Sequence, residues 1–260
     1  MKRYLLLTFL LSSCSVNENK DIPLYMVADS SSFVILDKKK FNQDGFEITK
    51  KGKNFIVIGL PYVDVEEIKN YGEYTVKIVP KFFGESRIEI SDTNLVAPKL
   101  SDQKRASAEY LKVKKIVKGT SVQFDNNFNF IAPIDSVITS QFGKRRFINS
   151  NPRSPHMALD IRGAVGKEIL APKTGKVVLA EQHFYGGNKI ILDHGGGLFT
   201  AYSHLNKFEV QEGEVVQQGE IIGYVGMTGR VTGPHLHWEV FLNEERINPE
   251  LLINLEYAQD

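Results

Sequence analysis

The sequence predicts an all-β protein in two parts: a small amino-terminal β-sandwich and a carboxy-terminal antiparallel, barrel-like β domain, joined by one helix. Three observations predict it. Short runs rich in Val, Ile, Phe and Tyr recur between turn signals. From Phe130 onward glycine becomes dense, as tight turns between short strands require. The stretch from Ser101 to Lys118 alone breaks this pattern, with apolar residues at helical spacing.

At the start of the chain, Met1-Lys-Arg precedes the apolar run Tyr4 to Leu11 and the small residues Ser12-Ser-Cys14. A basic start, a short apolar segment and small residues make a secretory signal peptide over residues 1–14. The run is far shorter than the roughly 20 residues a spanning helix needs. Leu11-Ser-Ser-Cys14 resembles the bacterial lipoprotein processing box, which implies cleavage before Cys14 and lipid attachment to its sulfur. Cys14 is the only cysteine, so no disulfide can form within the chain, and lipidation explains a leftover thiol in an exported protein. Ser15, rather than Asp, follows it; among lipoproteins of double-membraned bacteria this favours the outer membrane over the inner, with the chain facing the periplasm. Residues 15–21 are polar and read as a tether.

The composition, 42% hydrophobic and 24% charged, is that of an ordinary globular protein, and 260 residues suit two domains. A net charge of +1 leaves no electrostatic case for nucleic acid. Residues 22–100 form the sandwich. Its runs are Phe33 to Leu36, Phe46 to Ile48, Phe55 to Ile58, Tyr74 to Val79 and Arg87 to Ile90, with turns at Asn42-Gln-Asp-Gly45 and Lys51-Gly-Lys53. No His, Asp or Glu cluster at catalytic spacing occurs there, so spacing or binding is its expected role. Residues 101–129 are a helical linker bridging the two domains. Ala106, Tyr110, Val113 and Val117 mark its apolar side, Gly119 its end, and its Lys and Arg residues a solvated face. Residues 130–252 form the second domain and residues 253–260 a tail.

The chemistry lies in this second domain. In Gly233-Pro-His235-Leu-His237-Trp-Glu239, the residues after Pro234 read as a strand. Strand alternation puts His235, His237 and Glu239 on one face and Leu236 and Trp238 on the other. Upstream, Ser154-Pro-His156-Met-Ala-Leu-Asp160 supplies another imidazole and a carboxylate, with Asp160 opening a strand and His156 in the loop before it. Alone, His156 fits a surface loop and Asp160 a turn or cap. With His237 they make three nitrogen and oxygen ligands with a fourth position open, the catalytic zinc arrangement. A cysteine-rich structural zinc site is excluded, because this domain has no cysteine. His204, after a β-prone run, can face the same cleft. His194 reads as structural, at a turn, and His183 has no partner pattern.

His156-x-x-x-Asp160, Tyr202-Ser-His204-Leu and Gly-Pro-His235-x-His237 together resemble the lysostaphin/LytM-type zinc metallopeptidases. The similarity runs from about Phe130 to Leu252. It includes Ser140-Gln-Phe-Gly143, Ala171-Pro-Lys-Thr-Gly175, Asp193-His-Gly195 and Thr228-Gly-Arg-Val-Thr-Gly233. The resemblance implies that His156, Asp160 and His237 bind Zn2+ and that His204 and His235 are the catalytic pair. It implies hydrolysis of peptide cross-links in bacterial peptidoglycan by attack of zinc-bound water. The bond is D-alanyl to diaminopimelate in a double-membraned setting and a glycine-rich bridge in others. The peptidoglycan stems would be the substrate, and the lipid anchor the link to the membrane. Ala158 departs from the family's usual glycine in H-x-G-x-D, and a positive φ there would be unfavourable. The region before this domain is similar to the immunoglobulin-like amino-terminal domain of some exported members. Glu239 can orient a histidine as an acceptor or be an ordinary exposed strand residue, and Arg145 and Arg146 can wall the cleft. Other outcomes are a non-catalytic activator of cell-wall amidases, a structural envelope lipoprotein with incidental zinc, and a latent enzyme whose amino-terminal domain covers the cleft.

Overall fold

A computed structural model of the chain describes residues 24–253, apart from 92, 120 and 122. The expected signal peptide, Cys14, the tether and residues 254–260 lie outside the described residues. Among the described residues, no helix is long and apolar enough to cross a membrane.

The first strands are β1 (Tyr25–Asp29), β2 (Phe33–Asp37), β3 (Phe46–Lys50), β4 (Lys53–Gly59), β5 (Glu67–Tyr71) and β6 (Tyr74–Val79). They form two three-stranded sheets, β1-β6-β5 and β2-β4-β3. All their pairings are antiparallel except β1 with β6. The alternation read in Tyr74 to Val79 drives the packing. Tyr74, Val76 and Ile78 turn inward against Val34, Leu36, Ile56 and Ile58, which makes a sandwich.

The run Phe55-Ile-Val-Ile58 does not alternate, and the structure shows why. β4 is buried on both faces. Phe33, Phe46 and Val57 point away from the sandwich core into the carboxy-terminal one, where Phe128 packs edge-on to Phe33 (5.2 Å) and Phe46 (5.5 Å). The β2-β4-β3 sheet is therefore a middle layer. β7 (Glu85–Ile88) also departs from the expected sandwich. It joins the hairpin of β9 (Arg145–Ile148) and β10 (Asn151–Arg153), running parallel to β9. Alternation assigns faces to a strand but not its partner.

Two helices follow β7: α1 (Thr93–Val96) and α2 (Leu100–Ile116). Gly119 donates its N–H to the Ile116 carbonyl just past the end of α2. The remaining elements are β8 (Ile138–Ser140), β11 (Leu159–Arg162), β12 (Glu168–Leu170), β13 (Gly175–His183), β14 (Gly187–Asp193), β15 (Leu198–Phe208), β16 (Val215–Val216), β17 (Ile221–Val225), β18 (His235–Leu242), β19 (Glu245–Ile247) and α3 (Glu250–Ile253). Their strands make one 10-stranded sheet with the path β16-β13-β14-β15-β18-β11-β8. One face, carrying Ile190, Tyr202, Leu236, Trp238 and Val240, packs into the main core. The opposite face is divided. At one end Leu179, Ile191, Phe199, Ala201 and Phe241 are covered by Val113 of α2 and by Val117 just past its end. Tyr110, expected on that apolar side, is instead exposed. The other end of the same face is open, and the histidines lie there.

Candidate metal centre

Strand register assembles the site. Across β15, β18 and β11, Ser203, His237 and Asp160 stand in one cross-strand row, and His235 stands opposite Arg162 in the next. His156 enters from the loop before β11. Ala158, between them, is fully buried and lies outside the left-handed region, so its Cβ brings no strain.

His204 reaches the same face by a different device. Two residues beyond the core-facing Tyr202, plain alternation would turn His204 into the core. The β14–β15 pairing shifts register between Asn188 and Ile190, which leaves an extra residue on β15, and His204 has φ +69°. This bulge, with its left-handed residue, re-aims the imidazole into the cleft. Two tight loops hold it there. The His204 backbone N–H donates to the Gly186 carbonyl (2.7 Å), and its Nδ1 lies 2.9 Å from the Thr228 carbonyl. Gly187 (φ +61°) must be glycine at this crossing, because a Cβ would come within 2.2 Å of the Thr228 hydroxyl.

The rings are in mutual contact: His156 and His237 centroids are 5.1 Å apart, His204 and His235 5.0 Å, His204 and His237 5.5 Å. In three of these histidines Nδ1 faces a backbone carbonyl: His156 to Gln141 (3.2 Å), His204 to Thr228 (2.9 Å), His235 to Gly233 (2.8 Å). A carbonyl only accepts, so each Nδ1 carries its proton, and in the neutral ring each Nε2 keeps a lone pair. This gives the Ser140-Gln-Phe-Gly143 and Thr228-Gly-Arg-Val-Thr-Gly233 motifs a physical role.

Three ligand atoms converge. His156 Nε2 is 3.0 Å from Asp160 Oδ1 and 3.2 Å from His237 Nδ1, and His237 Nδ1 is 2.8 Å from Asp160 Oδ1. A tetrahedral ion about 2.0–2.1 Å from each atom needs its ligand atoms roughly 3.3 Å apart, so this set can hold one. Two imidazole nitrogens and one carboxylate oxygen are a donor set that suits zinc. A second trio, His204, His235 and His237, also brings its ligand atoms within 4.8 Å and shares His237. Burial of Asp160 opposes its ionisation, but the adjoining His156 and His237 imidazoles outweigh this and hold the carboxyl well below its ordinary range. Burial, then the charges of His237 and His235, push His204 well below the ordinary histidine value. Burial lowers His237 too, against the opposing pull of Asp160.

A cleft of about 370 Å³ opens over these groups, and Ile88, Ile90, Arg146, Tyr185 and Arg230 are among its walls. Ile88 is on β7, so a segment before α2 helps to build the cleft. Sequence reasoning missed Tyr185 and the two isoleucines, because no local pattern marks them. Glu239 fits neither sequence expectation. It is buried, and its carboxylate binds Lys189 Nζ (2.5 Å) and Arg246 Nε (3.1 Å) rather than a histidine. His183 contacts Glu181 (3.0 Å) away from this row. His194 is fully buried, between the Thr174 carbonyl (2.9 Å) and the Thr200 hydroxyl (2.8 Å).

An antiparallel sheet carrying a trio that could hold a metal ion, beside two further histidines in a cleft, is an arrangement that suits a metallopeptidase. Residues 154–249 match the model of Peptidase family M23. Peptidoglycan DD-endopeptidase ShyA of Vibrio cholerae is 39% identical over 119 residues, which are 45% of this chain and 28% of ShyA. DD-carboxypeptidase/endopeptidase Mpg of Neisseria meningitidis is 34% identical over 131 residues, 50% of this chain and 30% of Mpg. The chain thus spans about three tenths of the length of these curated relatives. The similarity extends through the amino-terminal layers in one solved structure, a protein of Pseudomonas aeruginosa described as a peptidase M23. It superposes with a TM-score of 0.67 at 25% identity, over 86% of this chain and 93% of that one.

Proposed function

We propose that this chain is a zinc-dependent endopeptidase that hydrolyses peptide cross-links of bacterial peptidoglycan, with the D-alanyl–diaminopimelate bond as its target. His156, Asp160 and His237 are the zinc ligands, and His204 and His235 handle protons. The convergence of three ligand atoms beside two histidines whose Nδ1 atoms face backbone carbonyls carries this reading. The name of ShyA, a peptidoglycan DD-endopeptidase, supports the polymer, and that name and Mpg's, DD-carboxypeptidase/endopeptidase, support a DD-endopeptidase activity.

When bound, zinc would lower the pKa of a coordinated water toward about 7 and polarise the scissile carbonyl. The chain supplies the rest. His156 Nδ1, tied to Gln141, keeps Nε2 aimed at the centre. His204 and His235 present Nε2 lone pairs that accept a proton from the attacking water and deliver one to the departing amine. Their carbonyl partners fix both rings in the tautomer this requires. Among the described residues the cleft leaves His235 18% and His237 19% exposed, and β7 forms part of its wall. A lipid on Cys14 would hold the chain at the envelope, facing the periplasm and its substrate.

The test is digestion of purified diaminopimelate-type peptidoglycan by the zinc-loaded chain, with muropeptides identified by mass. Loss of cross-linked dimers, abolished by chelator and by His237→Ala, is the expected result. A folded, zinc-loaded chain that releases nothing, yet stimulates a cell-wall amidase, would replace this reading with that of a regulator.

A further inference from the structure

The cleft carries more positive charge than its own carboxylates answer. The register of β9 and β10 puts Arg146 directly opposite Arg153, and like charges across a strand pair repel. Arg146 lines the cleft together with Asp160, His204 and Arg230, and its Nε is buried with no hydrogen-bond partner among the described residues. Arg230 lies over the Tyr185 ring at 4.1 Å, and its backbone N–H is tied to the Tyr185 carbonyl (2.9 Å), which fixes its approach. Burial and the neighbouring charges of Arg146 and Arg153 depress its pKa, although Tyr185 opposes this. The two acidic side chains of the cleft are engaged elsewhere, Asp160 by the histidines and Glu239 by Lys189 and Arg246. Asp160 partly offsets the charge of Arg146, and Tyr185 that of Arg230; an anion in the cleft would relieve the repulsion that remains.

We infer that Arg146, supported by Arg153 and facing the same cleft as Arg230, forms a carboxylate-binding subsite for a free carboxyl group on the amine-side residue of the scissile bond. A guanidinium matches a planar carboxylate with parallel N–H donors, and burial strengthens that contact. Ile88 and Ile90 line the same cleft and suit the methylene chain of a diamino acid. The substrate class is therefore a stem peptide with an ionised carboxylate beside the bond, in preference to a neutral glycine bridge. The inference rests on the endopeptidase reading and adds its specificity.

The test uses two synthetic cross-linked peptides that share the D-alanyl–diaminopimelate bond. In one the carboxylate beside that bond is free, and in the other it is a carboxamide. The purified zinc-loaded full chain is expected to favour the free carboxylate by about ten- to a hundredfold in kcat/KM, the scale of a buried charge-assisted pair. In Arg146→Met that ratio falls to near one, and Arg146→Lys recovers only part of it, because the planar fork is lost. A purely structural role would lower both rates together and leave the ratio standing. Equal rates in the unaltered chain, or a ratio that survives Arg146→Met, would overturn the subsite while leaving the peptidase intact. If neither peptide is cut, calorimetric binding to zinc-loaded His204→Ala decides. Tighter binding of the carboxylate peptide, lost on adding Arg146→Met, keeps the subsite and sinks the endopeptidase reading. No preference in binding overturns the subsite.

Discussion

His194 shows how one buried side chain sets a pH limit on the whole fold. Its Nδ1 donates to the Thr174 carbonyl, and its Nε2 accepts from the Thr200 hydroxyl, which lies 2.7 Å from the Tyr202 hydroxyl. A second proton on the fully buried ring would displace the Thr200 donor, and burial lowers its pKa from 6.5 to about 4. The unfolded chain therefore binds this proton first as pH falls. Stability is fully present above pH 6.5 and is lost as pH drops toward about 4. At about 1.4 kcal/mol for each pH unit crossed, the loss approaches roughly 3 kcal/mol. Urea melts between pH 7 and 4 should show that slope, and His194→Gln should flatten it; an equal slope in the variant would remove His194 as the cause. Glu239 makes the complementary case, a carboxylate whose burial is outweighed by Lys189 and Arg246, so that its pKa lies far below the ordinary range. Glu239→Gln leaves Lys189 without its counter-charge and should cost about 3 kcal/mol in denaturant unfolding.

At the scale of elements, the face of a side chain was legible where its strand partner was not. The alternation in His235-Leu-His-Trp238 separated the histidines from Leu236 and Trp238, as the burial of β18 shows. The pairing of Asp160 with His237 rests on contact between strands far apart in sequence, which no local period reports. The bulge that turns His204 was equally silent, since it comes from mismatched register with β14 rather than from a glycine. These strands also offer two overlapping trios for one metal, and substitution separates them. If β11, the loop before it and β18 supply the ligands, His156→Ala or Asp160→Ala should lower zinc affinity by at least about a hundredfold, beyond the usual effect of losing a group that only orients a ligand. His204→Ala should keep zinc stoichiometry while losing turnover. Equilibrium dialysis with a zinc-sensitive dye reads both, and the reverse pattern would move the ion to the histidine-only trio.

On the scale of the whole molecule, the expected division into a sandwich, a linker and a catalytic domain meets a core that crosses it. The sandwich runs were readable because each has its own period, but their second buried face was not, because Phe33, Phe46 and Val57 look the same whether they meet a sister sheet or another layer. In the fold they join Phe128 and Leu242 in the main core, while Val113 of α2 and Val117 just past its end seal the back of the sheet that carries the site. Gly59 lies so close that a Cβ on it would come within 2.3 Å of the Leu242 carbonyl oxygen, and Asn243 Oδ1 accepts its N–H at 3.3 Å. Losing the burial of Phe33, Phe46, Val57, Val113 and Val117 would cost roughly 7 kcal/mol or more at about 1.5–3 kcal/mol each. That is comparable with the whole stability of a typical domain, about 5–15 kcal/mol. A chain beginning at Ser121 should therefore fail to fold or should unfold at far lower denaturant, and Gly59→Ala should destabilise the full chain by wedging the layers apart. Guanidinium unfolding followed by tryptophan fluorescence checks both, because Trp238 is the only tryptophan and is buried in the catalytic sheet. An unchanged Trp238 midpoint in the shortened chain would show that the site-bearing sheet stands alone. A midpoint lowered by truncation and by Gly59→Ala would mean that the amino-terminal layers hold the floor of the cleft as well as one of its walls.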